Sequence, residues 1–177
     1  MIKSISWRSL QLVGLASLTL VLTSCEQVSG GGWIVSAADP TKKATFGMAL
    51  SCTDSSSGAV LNGNFEYHDM SFTATTPDGK QQKLGIHGVP VFAGSPIPGS
   101  TCSGLDSIFP FAGTYLGTYT TQPAVGPGGA FVVIVVDNGA KGPSKDDQIF
   151  VTLSGGLFSG YTNVGTLGGG NLTVTIP

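Results

Sequence analysis

Residues 43–52 read KATFGMALSC, a stretch in which apolar residues alternate with small or polar ones. The larger apolar side chains stand at every second position, namely Ala44, Phe46, Met48 and Leu50. A period of two is typical of a β-strand with one face on the core. This stretch therefore predicts a sheet that is buried on one side.

A second strong signal is Asp78-Gly79, which stands between two extended runs. Asp-Gly is a favoured two-residue hairpin turn because both residues tolerate positive φ. The turn predicts that a long strand over 59–74 pairs with a strand over 81–89. Further along, residues 130–136 read AFVVIVV, a continuous apolar run that predicts a strand covered on both faces.

The first 24 residues have the parts of a secretory signal peptide. Lys3 and Arg8 carry positive charge, residues 10–22 are almost wholly apolar, and Leu22-Thr23-Ser24-Cys25 closes the segment. The last four residues resemble the lipobox of bacterial lipoproteins, in which the cysteine receives lipid. An ordinary cleaved signal and an uncleaved anchor are the alternatives, although the apolar run is shorter than the ~20 residues of a transmembrane helix.

The lipobox resemblance implies that Cys25 carries a diacylglycerol group and an N-acyl chain such as palmitate, which together anchor a protein stably. Glu26 favours the outer membrane or cell surface, because Asp at that place is typical of retention at the inner membrane. Residues 1–24 are then the signal peptide, and residues 25–32 are the lipidated cysteine and a short Gly-rich tether. Residues 33–177 form a single β domain.

Turn-forming residues separate the short apolar runs along the whole chain, which has 27 Gly and 10 Pro in 177 residues. After the signal peptide, no stretch has the end caps and the 3.6-residue period of a substantial helix. We therefore expect an antiparallel all-β domain of about eight to ten strands. A β-sandwich and a flattened barrel both fit this pattern.

Charge and residue type exclude one function class and disfavour another. Beyond residue 24 the chain has six Lys, no Arg and ten Asp or Glu, which gives a net side-chain charge of −4. Nucleic-acid binding needs a basic surface, so that class is excluded. The chain has two His and no Gly-x-Ser-x-Gly motif, so we expect no enzyme and name no catalytic residue.

Two cysteines remain if lipid takes Cys25. We expect Cys52 and Cys102 to form a disulfide, since an exported protein lies in an oxidising compartment. A redox or metal-binding pair is the alternative. A disulfide that closes about fifty residues contributes roughly 4 kcal/mol in the chain-entropy model.

Two groups of side chains are candidate metal sites. The Asp78-Gly79 turn places His87 opposite Met70 or Asp69, so that His68, Asp69 and His87 could bind a transition metal. A hydrogen-bonded polar cluster on the sheet is the other interpretation.

The second group lies in the loop after residue 136. Asp137, Asn138, Asp146 and Asp147 offer oxygen ligands for weak Ca²⁺ binding, although their spacing matches no EF-hand. A solvated loop between two strands is the alternative. No other cofactor is expected.

Six phrases resemble those of a module found in secreted bacterial proteins, the post-COAP-1-like domain. They are Gly30-Gly-Gly-Trp-Ile34, Lys43-Ala-Thr-Phe-Gly47, Gly63-Asn-Phe-Glu-Tyr-His-Asp69, Ile86-His-Gly88, Asp147-Gln-Ile-Phe-Val-Thr-Leu-Ser154 and Gly168-Gly-Gly-Asn-Leu-Thr-Val174. The resemblance implies a compact extracellular β-domain without an enzymatic residue. This chain departs from the pattern as a lone module behind a lipid anchor, with a Pro/Gly insertion around 90–106.

The first functional hypothesis is therefore a non-catalytic binding or structural module at the envelope, with an envelope protein or a glycan as partner. Aromatic residues could contact that partner or pack in the core instead, namely Trp33, Tyr115, Tyr119 and Tyr161. Gly31-Gly32-Trp33 also resembles the Gly-x-Trp of lipocalins, which implies a carrier of a small apolar ligand. An unrecognised hydrolase is the third hypothesis.

Overall fold

The structure is a computed structural model that describes residues 25–91, 93–103, 112–138 and 146–175. The signal peptide predicted over residues 1–24 lies outside the described residues. In the part of the chain that is described, no helix has both the length and the apolar character needed to cross a membrane.

The described residues form twelve β-strands. In chain order they are β1 Cys25–Val35, β2 Lys43–Ser55, β3 Gly58–Asp69, β4 Thr73–Thr75, β5 Gln81–Lys83, β6 Gly85–Pro90, β7 Pro96–Ile97, β8 Ala112–Gln122, β9 Gly129–Val136, β10 Gln148–Ser154, β11 Thr162–Thr166 and β12 Gly169–Thr175. The prediction of an all-β fold is confirmed, with more strands than the eight to ten expected.

Ten of these strands make one antiparallel sheet. Its order is β11-β10-β9-β8-β6-β3-β2-β1-β12, with β7 added to β3, while β4 and β5 form a separate hairpin. The large sheet curls into a half-barrel, which brings its two end regions together. Asn163 of β11 thus donates a hydrogen bond to the carbonyl oxygen of Val35 on β1 at 3.1 Å. The architecture is closer to a flattened barrel than to a two-sheet sandwich.

The concave side of the curled sheet holds the core. On β2, Phe46, Met48 and Leu50 are buried and the residues between them are not, as their alternation predicts. Across the core, the ring centroids of Phe65 on β3 and Phe131 on β9 lie 5.4 Å apart. Contacts of this kind between large apolar side chains are the main source of stability in such a domain.

The tether predicted over residues 25–32 is instead part of β1. Residues 27–32 pair with β2 on one side and with β12 on the other. Gly30 has φ of +140°, and a Cβ there would lie 2.1 Å from the carbonyl oxygen of Asn171. Glycine therefore permits close strand pairing here, whereas the sequence suggested a flexible linker, because one residue type serves both purposes.

A hairpin forms at Asp78-Gly79, with Thr73 of β4 opposite Lys83 of β5, but its loop is longer than the two residues predicted, because the last pair is Thr75 with Gln81. The long strand predicted over 59–74 is wrong, however, because β3 ends at Asp69 and the chain turns before β4. The Asp69 side chain supports that turn by accepting a hydrogen bond from the backbone N–H of Ser71 at 2.8 Å. The turn shifts the register by three residues, so that His87 of β6 lies opposite Glu66.

The continuous apolar run forms β9, but only one of its faces is covered. Phe131, Val133 and Val135 point into the core and are buried. The three residues between and after them, Val132, Ile134 and Val136, are partly exposed on the convex side. The prediction of a strand covered on both faces is therefore wrong, because among the described strands none forms a second layer over these residues.

The possible short strand predicted over 157–161 is a turn. Gly160 has φ of +82° within it, and the N–H of Tyr161 donates a hydrogen bond to the carbonyl oxygen of Phe158 at 3.0 Å. The turn brings the ring of Tyr161 beside that of Tyr67 on β3, with 5.9 Å between the ring centroids.

Candidate functional site

Cys25, the predicted lipidation site, is the first residue of β1. It pairs with Thr53 of β2, and its neighbour Glu26 pairs with Cys52. The other end of β1 is Val35, ten residues further on. At about 3.3 Å per residue, the two ends of the strand lie roughly 33 Å apart. The half-barrel therefore has an end near Cys25 and a far end near Val35.

A disulfide joins Cys52 and Cys102, the pair expected from the sequence, with Cα atoms 5.7 Å apart. Both cysteines are buried. The backbone N–H of Cys102 donates a hydrogen bond to the Asp54 carboxylate at 2.7 Å. The bond thus fastens the Pro/Gly-rich segment to the end of β2, close to Cys25.

The three predicted transition-metal ligands do not come together. Asp69 points into the half-barrel and is buried, whereas its neighbour His68 points outward. His87 lies opposite Glu66 because of the three-residue register shift. Within the described residues, no three His, Cys, Asp or Glu side chains form a group that could hold a metal ion.

Each histidine instead has a neighbour on the convex side of the sheet. His87 Nδ1 contacts Glu66 Oε1, and Glu66 Oε2 is buried without a hydrogen-bond partner in the part of the chain that is described. The His68 ring lies over Gly85, where a Cβ would be 2.1 Å from its Nδ1 atom. The three residues therefore do not form one polar cluster either, since Asp69 faces the core and each histidine has a different neighbour.

Among the described residues the predicted calcium ligands do not form a metal site, although Asn138 donates its backbone N–H to Asp147 Oδ1 at 3.1 Å and its side-chain amide to the carbonyl oxygen of Asp146. Asp147 Oδ2 accepts a hydrogen bond from the N–H of Leu172 at 3.2 Å, and Asp137 Oδ2 accepts one from the N–H of Val174 at 3.0 Å. Both donors belong to β12, the last strand of the sheet, whereas Asp146 is exposed. Asp137 and Asp147 therefore connect the outer edge of β12 to the ends of β9 and β10.

A buried polar network closes the far end of the half-barrel. Asp69 Oδ2 accepts hydrogen bonds from Ser36 Oγ at 2.7 Å and from Tyr161 OH at 2.6 Å. The hydroxyl oxygens of Tyr161 and Tyr67 lie 2.7 Å apart, and Asn163 Nδ2 donates to Tyr67 OH at 2.8 Å. We call these five residues the Asp69 network. It links β1, β3 and β11, which are far apart in the sequence.

The two tyrosines of the Asp69 network hold their protons tightly. Burial raises the pKa of Tyr67 to about 12, against the lowering effect of its hydrogen bonds with Tyr161 and Asn163. Burial also raises the pKa of Tyr161 above its usual value, and the charges of Tyr67 and Asp69 add to the effect. Both hydroxyls therefore stay protonated beyond the pH at which an ordinary tyrosine ionises, and they remain hydrogen-bond donors within the network.

The candidate tyrosine contacts are largely occupied within the protein. Tyr115 and Tyr119 are buried in the core, where the Tyr119 hydroxyl donates to the carbonyl oxygen of Gly155 at 2.7 Å. Tyr161 is partly exposed but belongs to the Asp69 network. Its ring packs edge-on against Phe72 at 5.7 Å between centroids. Core packing therefore accounts for Tyr115 and Tyr119.

Trp33 lies on the convex side of β1, where its indole is also engaged. Lys43 Nζ lies 3.8 Å from the centroid of the ring, a cation–π contact. A Cβ at Gly168 would lie 2.2 Å from the Trp33 ring, and one at Gly169 would lie 2.8 Å from the indole nitrogen. The ring is therefore held between a lysine and the backbone that leads into β12.

Sequence reasoning did not identify Ser36 and Asn163. In β11 the alternation of Thr and Val suggests that Val164 faces the core, yet Asn163 is buried and Val164 is 63% exposed. The hydrogen bonds that Asn163 donates to Tyr67 and Val35 compensate its burial. The sequence indicates Ser36 only weakly, because Ser is common in turns. In the structure its Oγ accepts a hydrogen bond from the N–H of Ala38 in such a turn.

No protein-family model, curated protein or solved structure matches this chain.

Proposed function

We propose that this chain is a lipid-anchored module of the bacterial envelope that binds or organises a partner without catalysis. The observation that supports the proposal is that Cys25 is already part of the sheet, where it pairs with Thr53 of β2, and that from Gln27 on the same strand also pairs with β12. A lipid on Cys25 would therefore be attached directly to the folded sheet. Two or more acyl chains would hold such a domain stably at the membrane.

The length of β1 gives this proposal a direction. If Cys25 is at the membrane, the end near Val35 lies roughly 33 Å from the first residue of the strand. That far end carries the exposed β4–β5 hairpin and the partly exposed Tyr161. We therefore expect an envelope protein or a glycan to bind at the far end, with the module on the outer membrane or cell surface.

The interior and the polar groups support a module rather than a carrier or a hydrolase. The concave side is occupied by large side chains in mutual contact, among them Phe65, Phe131 and Tyr115. Asp69 already accepts hydrogen bonds at both carboxylate oxygens. The hydroxyls of Tyr67 and Tyr161 are likewise engaged in hydrogen bonds within the network, with Asn163 and with Asp69 respectively.

The anchor is tested with the full chain expressed in a bacterium that is fed an alkyne analogue of palmitate. The wild-type chain should become labelled and should sediment with membranes. Cys25→Ser should abolish the label, whereas Cys102→Ser, which also removes one cysteine, should keep it. A wild-type chain without label, or a labelled Cys25→Ser chain, would contradict the proposed anchor.

The direction of binding is tested by recovering partners from detergent-solubilised envelopes with the tagged full chain. Gln82→Glu adds a charge to the exposed hairpin at the far end, and Ser57→Glu adds the same charge to the exposed turn near Cys25. We expect Gln82→Glu to reduce recovery of the partner and Ser57→Glu to leave it unchanged. The reverse result would place binding at the anchored end.

A further inference from the structure

The convex side of β8, β9, β10 and β11 has no charged residue. Its large side chains are in register across the four strands: Val164 lies opposite Phe150, Phe150 opposite Ile134, and Val132 opposite Leu116. We call these five residues the outer apolar face. The other outward-facing residues of the same strands are Val136 and residues of the types Ala, Thr, Ser or Gln, as far as the described chain goes.

The outer apolar face is accessible. Leu116 is 50% exposed and Val164 is 63% exposed, while the three residues between them are partly exposed. The convex side of β1, β2, β3 and β6 differs, since it carries Lys43, Glu66, His68 and His87. The exposed side of an antiparallel sheet is usually polar, so a contiguous apolar area marks a surface that is covered by a partner.

The chemistry of the face favours one occupant over others. Surfaces that lie on membranes use Trp, Tyr, Lys or Arg at the interface, and these residue types are missing from the described outward positions of the four strands. A charged partner would find no charge to pair with. In a dimer with a twofold axis, the residues of one face lie near the same residues of the other copy. A face without charged residues can pair with itself in this way without like-charge repulsion.

We propose that the outer apolar face binds the same face of a second copy, so that two half-barrels pack as a two-layer β-sandwich. Sheets pack face to face about 10 Å apart through interlocking side chains. This contact would also give β9 the two covered faces that its apolar run, AFVVIVV, is typical of.

The size of the face predicts a weak dimer. Four strands about 4.8 Å apart and about seven residues long span roughly 450 Å² of flat area. Stable interfaces bury about 800 Å² of accessible surface on each partner, so this contact is smaller than a stable interface and has the size of a weak, transient one. Attachment of both copies to one membrane, which rests on the proposed function, would raise their effective concentration.

The experiment places a photoreactive benzoylphenylalanine at Leu116 or at Leu157 in the full chain and irradiates intact cells. Leu157 is the matched control, because it is 49% exposed and lies in the turn after β10, away from the face. We expect a product of twice the chain's mass from position 116 and little or none from position 157. Adding Val164→Lys should reduce the product from position 116 at least tenfold, and adding Val35→Lys should not.

Three results would overturn the proposal. They are a product from position 116 with a different mass or no product there, an equal dimer yield from position 157, and a dimer yield that Val164→Lys leaves unchanged. Membrane fractionation of the same cells reports the anchor separately. A chain that cross-links but does not sediment with membranes would contradict the proposed anchor and still support the dimer.

Discussion

Two regions connect β1, the first strand in the chain, to the last two strands, β11 and β12. They do so by different physical means. In the glycine seam, residues 30–32 of β1 pair with residues 170–172 of β12. Carbonyl oxygens there occupy the space that side chains would need. At the far end, the Asp69 network makes the connection with side-chain hydrogen bonds. The seam depends on the absence of side chains, and the network depends on their chemistry.

This difference bears on the sequence motifs. The phrases that opened and closed the family resemblance, Gly30-Gly-Gly-Trp-Ile34 and Gly168-Gly-Gly-Asn-Leu-Thr-Val174, pair with each other across the seam. Gly170 has φ of +109°, and a Cβ there would lie 2.2 Å from the carbonyl oxygen of Gly31. These glycines therefore have a structural explanation that involves no ligand.

The largest effect is expected from a single methyl group in the seam. Gly170→Ala forces a side chain into both a left-handed φ and a backbone clash, so we expect a loss of about 4 kcal/mol in the free energy of unfolding. Gly47→Ala is the control, since a Cβ there has no atom within 4 Å. It should change stability by less than about 1 kcal/mol. Urea unfolding measures both, and equal effects would show that the seam is not tightly packed.

The Asp69 network should respond less strongly. Asp69→Ala removes the acceptor shared by Ser36 and Tyr161 and the turn contact to Ser71. We expect a loss of about 3 kcal/mol, because buried donors lose their partner. Asp78→Ala, at the exposed hairpin tip, should leave the midpoint of urea unfolding almost unchanged, because exposed charges interact weakly. If both variants unfold at the same urea concentration, the network does not stabilise the far end.

Alkaline pH should distinguish the network from the seam. The folded pKa of Tyr67 is about 12, above its ordinary value of 10.0, so the unfolded chain releases this proton first as the pH rises. The stabilisation is complete below pH 10 and decreases as the pH approaches 12, by about 2 kcal/mol from Tyr67 alone. The raised pKa of Tyr161 acts in the same direction.

Chemical unfolding between pH 9 and 12 measures this dependence. Tyr67→Phe should reduce its slope, whereas Gly170→Ala should lower stability at every pH without changing the slope. If the wild type and Tyr67→Phe show the same slope, Tyr67 is not the cause of the pH dependence of stability.

The smallest effect is expected from Lys43, the lysine that lies over the Trp33 ring. Lys43→Ala removes the cation–π contact to Trp33, which is worth about 0.5–1 kcal/mol at an exposed site. Trp fluorescence should change in this variant. Lys42→Ala removes an exposed ion pair with Asp39 and should leave the fluorescence unchanged. A fluorescence change in Lys42→Ala instead would show that Trp33 responds to the loop and not to Lys43.

Local pattern was sufficient to predict the fold class. The alternation of Phe46, Met48 and Leu50 identified a half-buried strand, and Asp78-Gly79 identified a hairpin that the structure confirms. The two cysteines that pair in the structure followed from compartment and number. These predictions depend on short-range spacing or on counting, which a sequence shows directly.

The site residues needed long-range information that a sequence does not show. Three residues that begin at Met70 turn out of the sheet and shift the pairing of β3 with β6. The position of the hairpin alone therefore could not predict that His87 lies opposite Glu66. Asn163 faces inward because Tyr67 and Val35 offer it partners from distant strands. Asp137 and Asp147 suggested calcium, yet their carboxylates bind backbone N–H groups of β12.

The pairing of β1 with β12 also governs when this fold can be completed. Gln27 lies opposite Thr175, so the contact joins residues almost at the two limits of the described chain. Contacts between residues so distant in sequence slow folding, because the entropy of closing the loop must be lost before the contact contributes. The sheet therefore stays incomplete until residue 175 has been synthesised. A polypeptide exported as an unfolded chain would benefit from that delay, since β1 remains without one of its two neighbours until β12 has been synthesised.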